Sequence, residues 1–316
     1  MSPPPDVSVV IANWNTSALL ERCLGSIARA RAGLSVETIV IDNASTDGSA
    51  AMVRRSFPGV ALIVNDTNVG FAAATNRGLF AGRGRYFLLL NSDVELPEGA
   101  LPRAVEFMDS RLDVGMAGGA LIGADGLLQS SYADFPTLGS ECLSASGLGS
   151  RFFGPQYPSL RLPPGEPAPL VGWVPGACML VRRATVDAIG GMDETYWMYS
   201  EDTDWCYRAR QKGWAVVHLP DVRVLHAGGA STRQRRGEMV VQLYRSKMRF
   251  FAKHYGASYA ATLRLLLWTI FSGRTLVSEV MLLVPPADRE RWTRERDLSR
   301  LVRIACTTAS VPASGA

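Results

Sequence analysis

Short apolar runs and polar clusters alternate along the first third of the chain. Val7-Ser8-Val9-Val10-Ile11 is a β-branched run that predicts a buried strand, and a loop over Asn13-Trp14-Asn15-Thr16 follows it. Leu19, Leu20, Cys23, Leu24 and Ile27 then recur at helical spacing. The alternation continues with a strand over 37–41, ending at Asp42-Asn43-Ala44-Ser45-Thr46-Asp47-Gly48. A helix carrying Met52 and Val53 comes next, then a strand over 61–64. Asn68-Val69-Gly70-Phe71 leads into a helix through Asn76, and a fourth strand over 86–90 stops at Asn91-Ser92-Asp93. Strands apolar on both faces, alternating with helices, predict an α/β fold on a parallel sheet covered on two sides. Ligands bind such sheets beyond the carboxyl ends of the strands, where the polar clusters 13–15, 42–47 and 91–93 fall.

The later chain is less regular. Residues 101–108 fit a helix, and 114–120 a strand leading into a Gly-rich turn. Residues 130–170, rich in Pro, Gly and Ser, read as a long excursion that forms part of an acceptor lid. A strand over 174–181 and a short helix over 185–189 precede Tyr199-Ser200-Glu201-Asp202-Thr203-Asp204-Trp205. Ser200 suits the cap of a helix whose acids lie in the first turn and whose finish is Gly213. Two more strands are expected over 215–219 and 222–226.

Composition narrows the function classes. The 316 residues are 47% hydrophobic and 20% charged, an ordinary globular balance for one large domain or two. A net charge of +4 is too small to imply nucleic acid as a partner. The five cysteines have no CxxC spacing, so neither a zinc site nor a disulfide framework is indicated, and a reducing compartment is expected. The N-terminus shows no basic and apolar leader, which predicts a cytoplasmic protein. No GxGxxG follows the first strand, no Walker motif occurs, and no GxSxG follows a strand. Dinucleotide binding, P-loop chemistry and a hydrolase triad therefore have no support.

Three carboxylates, Glu201, Asp202 and Asp204, stand among Trp197, Tyr199, Trp205 and Tyr207. An acidic first turn accounts for the acids but not for the aromatics, which suit a wall for stacking sugars. A carboxylate in partly apolar surroundings has a raised pKa, as a general base requires. Asp93 and His226 each end a strand; they suit a turn and a structural histidine, or together a Mn²⁺ pair. Asp42 suits an Asx turn, or the imide N–H of a pyrimidine base or a ribose hydroxyl.

In their order these stretches resemble the family-2 inverting glycosyltransferases with a GT-A fold, especially the bacterial rhamnosyltransferase-like branch. The matching segments are 7–15, 40–49, 68–78, 87–95, 172–181, 190–193, 201–213 and 226–231. The resemblance implies a Rossmann-like mixed sheet and a nucleotide-diphospho-sugar donor, foremost dTDP-rhamnose. A UDP-hexose or UDP-N-acetylhexosamine donor, or a catalytically silent nucleotide- or glycan-binding module, is the alternative. It implies Asp202 as catalytic base, with Glu201 second in line. It implies Asn13, Asn15, Asp42, Asn43, Asn68, Gly70, Asn76 and Asn91 on the donor, and Asp93 and His226 on Mn²⁺ or Mg²⁺. Asn91 stands where the family has the first acid of an Asp-x-Asp. Trp173, Trp197, Asp204, Trp205 and Arg208 fall on the acceptor side, the acceptor being a glycan or a lipid-linked sugar.

A catalytic domain over 1–235 is expected, with a helical extension over 236–316. The extension begins basic and turns apolar over 259–271 and 276–284, interrupted by Arg264 and Glu279. Neither stretch reaches the ~20 apolar residues of a spanning helix. A basic amphipathic segment with Trp268 and Phe271 suits the anionic cytoplasmic face of a membrane, or packing on the catalytic domain. The small, polar tail after Arg303 is expected to fray.

Overall fold

The structure, a computed structural model, describes residues 3–159, 168–284 and 288–308. Part of the expected excursion (160–167) and most of the tail (309–316) lie outside the described residues. The alternation is realised as β1 (Val7–Asn13), α1 (Ser17–Ala30), β2 (Val36–Asp42), α2 (Ser49–Ser56), β3 (Ala61–Val64), α3 (Phe71–Ala81) and β4 (Tyr86–Leu90). Next come β5 (Val94–Glu95), α4 (Ala100–Ser110), β6 (Val114–Ile122), α5 (Leu138–Ser146) and α6 (Leu148–Phe153). Then follow β7 (Cys178–Arg182), α7 (Arg183–Ile189), α8 (Glu201–Gln211) and β8 (Ala215–His226). A 3-10 turn, Thr232–Arg235, leads into α9 (Arg236–Tyr255), α10 (Ala257–Leu283) and α11 (Arg289–Thr308).

The described residues form two compact units. The first runs to Phe135 and resumes over Ser159–Trp197 and Glu201–Ser231. It holds one eight-stranded sheet in the order β3-β2-β1-β4-β7-β6-β8-β5. The first four strands of this order pair in parallel. β7 runs antiparallel to both β4 and β6, and β5 antiparallel to β8, so the sheet is mixed where the alternation alone predicts a parallel one. Successive residues of a strand face opposite sides of the sheet. Val7, Val9 and Ile11 accordingly enter one apolar cluster and Val10 the other. Leu88 and Leu90 likewise divide from Phe87 and Leu89. That two-sided burial is why β1 and β4 read as unbroken apolar runs.

Several expectations are corrected. Gly118 and Gly119 lie inside β6 and not in a turn. A Cβ on Gly118 would stand 2.4 Å from Val174, so the missing side chain lets the 171–177 segment press against the strand. The strand expected over 174–181 begins at Cys178. The two strands expected over 215–226 are one, with the register jumping from Gly119↔Leu219 to Ala120↔Arg223; Pro220, which has no N–H to donate, lies in the jump. Ser200 takes a left-handed φ of 63°, unlike the extended N-cap it was expected to be, and the Thr203 N–H is taken by Asp202 Oδ1 at 2.7 Å.

The second unit holds residues 136–158, 198–200 and the helices from α9 onward. The excursion is thus not structureless: it forms α5, with a capping box between Thr137 and Ser140, and α6. The two apolar stretches at 259–284 are one helix of 27 residues, long and apolar enough by length and composition to cross a membrane. Its continuity through Arg274 has a local cause. The guanidinium bonds Glu295 at 2.5 Å and the Ala145 carbonyl, so it is held without breaking the helix.

Candidate active site

The carboxyl ends of β1, β2 and β4 converge through side chains in the loops that follow them. Asn13 Nδ2 donates to Asp42 Oδ1 at 3.0 Å and to Ser45 Oγ at 3.2 Å, and Asn13 Oδ1 accepts from Thr16 Oγ1 at 2.7 Å. The Thr16 hydroxyl has then spent its proton, so Ser92 Oγ is the donor in their 2.8 Å contact. This chain of bonds ties the β1 loop to Asn91-Ser92-Asp93. Asp42 is 1% exposed, and its second oxygen accepts the Ser45 N–H at 3.0 Å. Asn15 is half-buried, with a left-handed φ of 52°, and its side-chain oxygen accepts the Thr46 N–H at 2.7 Å.

Two asparagines expected on the donor are committed to loop architecture. Asn43 donates to Gly70 O at 3.0 Å while its oxygen accepts from Asn65 Nδ2 at 2.8 Å and from the Val69 N–H at 3.3 Å. Asn76 donates to Met192 O at 2.8 Å and Glu194 Oε1 at 2.9 Å and accepts the Met192 N–H at 2.8 Å. Both are buried, so they hold these loops in place. Asn68 Oδ1 accepts the Gly70 N–H at 3.0 Å. Gly70, at φ 88°, passes so close to Trp197 that a Cβ would stand 2.3 Å from its carbonyl oxygen. That carbonyl takes the Phe71 N–H at 2.8 Å, the first donor of the α3 N-terminus, and the Trp197 indole N–H reaches Asn68 O at 3.4 Å.

The acidic helix α8 separates its carboxylates by environment. Asp202 is half-buried and accepts the Thr203 N–H at 2.7 Å and the Gly176 N–H at 3.2 Å. Burial lifts its carboxyl above the usual range, against the pull of those N–H groups. Glu201 is 4% exposed, and its Oε2 has no partner among the described residues. Burial, then the Asp202 charge, pushes it well above the carboxylate range. Asp202 is therefore the acid that carries negative charge more readily. Asp204 is fully buried and pairs with Arg208 Nε at 2.9 Å; the same guanidinium bonds Ile189 O at 2.6 Å and Gly191 O at 2.7 Å. Trp205 is also fully buried, with its indole N–H on Gly190 O at 2.9 Å. Expected against the acceptor, these three residues instead anchor α8 to the 189–191 turn, because their polar groups are used inside the fold. Trp173 and Trp197 remain half-buried.

One turn joins the acids of α8 to the end of β4. The Asn91 N–H donates to Ala177 O at 3.0 Å, and the neighbouring Gly176 N–H holds Asp202. Asp93, 8% exposed, faces His226 Nε2 at 3.4 Å and accepts the Ala230 N–H at 3.4 Å. Gln129 fixes the imidazole: its amide nitrogen donates to His226 O at 3.1 Å, which turns its oxygen onto His226 Nδ1 at 2.6 Å. An oxygen only accepts, so in the neutral ring Nδ1 carries the proton and Nε2 presents a lone pair. Nε2 is buried without a hydrogen-bond partner among the described residues, and it points at a carboxylate. A lone pair facing a carboxylate oxygen is a poor arrangement without a cation between them, and a histidine with its other nitrogen held by a second residue is how proteins present imidazole to metal. Asp93 and His226 therefore fit a divalent ion. Among the described residues no third His, Cys, Asp or Glu joins them, so further oxygens must come from substrate and water. A cavity of about 300 Å³ lies against this pair and Arg22, Glu95 and Leu225; neither Asp42 nor Asp202 lines it. The sequence had no signal for Gln129, which meets His226 from 97 positions away.

Comparison with known proteins decides the family. The model of glycosyl transferase family 2 matches residues 8–134, and that of glycosyl transferase family group 2 matches residues 86–287. The chain belongs to glycosyltransferase family 2. Within it the chain is similar to a rhamnosyltransferase. It is 29% identical over 287 residues to the N-acetylglucosaminyl-diphospho-decaprenol L-rhamnosyltransferase of Mycobacterium tuberculosis, covering 86% of this chain and 92% of that one. It is 37% identical over 133 residues to the succinoglycan biosynthesis protein ExoO of Rhizobium meliloti, which covers 40% of this chain and 36% of that protein. Among solved structures it resembles a mannosyltransferase from Pyrobaculum calidifontis in complex with GDP-Man and Mn²⁺. The TM-score is 0.57 and the identity 17%, with 97% of this chain and 87% of that one covered. The glycosyltransferase thus has the GT-A fold, with its polar clusters at the carboxyl edge of the sheet.

Proposed function

We propose that this glycosyltransferase moves L-rhamnose from dTDP-rhamnose to a hydroxyl of a lipid-linked glycan, with inversion at the anomeric carbon. The observation that carries the chemistry is the shared turn: Asp202 is held by the Gly176 N–H, one residue from the Ala177 carbonyl that binds Asn91. A half-buried carboxylate and the Asp93–His226 pair thus flank one sheet edge. The rhamnose and the lipid-linked acceptor rest on the named activity of the mycobacterial relative, which is similar over most of both chains, and dTDP as the carrier on the family resemblance.

Asp202 accepts the proton of the acceptor hydroxyl as the oxygen attacks the anomeric carbon. The bond from that carbon to the diphosphate breaks, and the nucleoside diphosphate leaves with the electron pair. Attack opposite the leaving group inverts the centre. Asp42 receives the base or ribose, with Asn15, Asn68 and Asn91 along the donor, while Asn13, Asn43, Asn76 and Gly70 set the loops that position it. Asp93 and His226 would hold Mn²⁺ or Mg²⁺, which when bound neutralises charge on the diphosphate. Trp173 and Trp197 offer half-buried faces to the acceptor sugar. The enzyme works at the cytoplasmic membrane face, where the helical unit meets the lipid that carries the acceptor.

The test is nucleoside diphosphate release from a panel of dTDP- and UDP-sugars, with Mn²⁺ or Mg²⁺ and a pooled lipid-linked acceptor. Release from dTDP-rhamnose, lost with chelator and lowered about 10²–10⁴-fold by Asp202→Asn, is expected. Release from a UDP-sugar instead would keep the mechanism and remove the rhamnose assignment. Nucleotide binding without turnover of any donor would favour a silent module.

A further inference from the structure

The 27-residue helix α10 has two unlike faces. Ala260, Leu263, Leu267, Phe271, Thr275 and Ser278 are buried within the helical unit. Phe271, expected at a membrane surface, is one of these. On the other side stand Leu265 (65% exposed), Trp268 (41%), Leu276 (63%), Val280 (50%) and Leu283 (82%). Their spacing keeps them in one row that extends for about 27 Å along the helix. Among the exposed positions of α10 only Glu279 carries a charge, and it is paired with Arg300 at 2.9 Å. A row of this size and composition is too apolar to be left to water without a reason.

Charge says what covers it. Residues 232–316 hold fifteen Lys and Arg against six Asp and Glu, a net +9, while residues 1–231 are net −5. The cations border the apolar row. Arg303 lies 5.7 Å over the Trp268 ring with its Nε unpartnered among the described residues, and Ile304 beside it is 49% exposed. Arg300 and Arg294, on the same helix α11, are 51% and 63% exposed. An exposed indole with a guanidinium against its ring, between aliphatic side chains and exposed arginines, matches the boundary between acyl chains and phosphate headgroups.

We infer that the outward face of α10, edged by the arginines of α11, is a docking surface for an anionic bilayer, with the helix lying in the plane of the interface. This rests on the proposed lipid-linked acceptor and names the surface that would meet its membrane. The helix lies flat and does not span. Its inner face packs on α9 and α11, and a spanning pose would carry their Arg245, Lys247, Arg249, Arg294, Arg296 and Arg300 toward the hydrocarbon. In the plane, Leu276, Val280 and Leu283 enter the acyl boundary while the cations stay with the headgroups.

The experiment is co-sedimentation of the full chain with phosphatidylglycerol-containing and pure phosphatidylcholine vesicles, compared with Leu276→Gln/Val280→Gln/Leu283→Gln. These positions are exposed, so the variant keeps its fold, checked by circular dichroism and by nucleoside diphosphate release from the donor. Expected is binding to the anionic vesicles, weakened at least about tenfold by the triple substitution and by 0.5 M salt, and removed by an alkaline carbonate wash. Wild-type protein left in the supernatant overturns the inference, as does equal binding by the variant. Resistance to carbonate extraction would show a spanning helix and overturn the in-plane pose. A lipid-free dimer dissolved by the triple substitution would assign the face to a second copy. Vesicle binding without donor turnover would instead count against the transferase reading and leave the surface standing.

Discussion

At the scale of single residues, adjacent acids differ in how readily they carry charge because their surroundings differ. Asp202 has two N–H donors to support a negative charge, and Glu201 Oε2 has none among the described residues. A general base must be ionised before it can accept a proton. The Asp202 carboxyl is raised by burial, so kcat/KM should fall as pH drops through that raised pKa, on an acid limb above that of an ordinary aspartate. Glu201, which burial pushes well above the carboxylate range, is the harder of the two to ionise, and glutamine is its isostere. Glu201→Gln should therefore keep most of the activity and leave the acid limb in place, whereas Asp202→Asn should abolish it; a pH–rate profile of both variants checks this. If Glu201→Gln lost activity to the same degree, the roles would be reversed. That Glu201 and Asp202 share one acidic turn among aromatics was legible in the sequence. The burial of Trp205 and Asp204 beside them was not, because an aromatic or a carboxylate reads the same in a cleft as in a core until its hydrogen-bond partner is known.

At the scale of elements, the loops after the strands are held by buried amides. Asn76 of α3 makes three hydrogen bonds to the 192–194 turn, and Gly191 lies so close that a Cβ there would stand 2.4 Å from Asn76 Oδ1. Asn76→Ala removes those bonds and leaves the Met192 N–H and carbonyl without partners. A loss of about 1–3 kcal/mol in stability is expected, read by urea unfolding, together with a higher KM for the donor because the Asn68–Gly70 loop leads into the same helix. An unchanged midpoint would show that the turn stands without this amide. Element boundaries were legible where burial is two-sided and continuous, as in β1 and β4. They were lost where tertiary contacts override a local interruption. Pro220 divides the run 215–226 in sequence, but β6 pairs with both halves across a register jump. Arg274 divides two apolar stretches, but Glu295 and Ala145 O take up its guanidinium and the helix runs through. The Pro-, Gly- and Ser-rich composition of the excursion hid α5 and α6, whose stability comes from packing in the helical unit.

At the scale of the whole molecule, ligand binding and folding are linked. The His226 Nε2 is buried beside Asp93 without a hydrogen-bond partner among the described residues, so a divalent ion together with nucleoside diphosphate should bind the native state alone and raise its thermal midpoint. Saturation at a hundred times Kd corresponds to about 2.7 kcal/mol. His226→Ala should reduce that shift, and chelator should reverse it, in thermal scans with and without Mn²⁺; a shift undiminished in His226→Ala would place the ion elsewhere. The charge is also divided along the chain, with a basic C-terminal helical region after an acidic remainder. The sequence by itself determined the α/β class, the polar clusters at the strand ends, the family-2 resemblance and the basic, apolar character of the C-terminal region. These depend on periodicity, local turn chemistry and residue order, all of which are properties of neighbours in the chain. Only the tertiary structure decided which asparagines are consumed in holding loops, that Gln129 sets the tautomer of His226, and which side of α10 is left apolar and uncovered. Each of these depends on a partner tens of residues away, and hydrogen-bond satisfaction and burial exist only once the chain has brought such partners together.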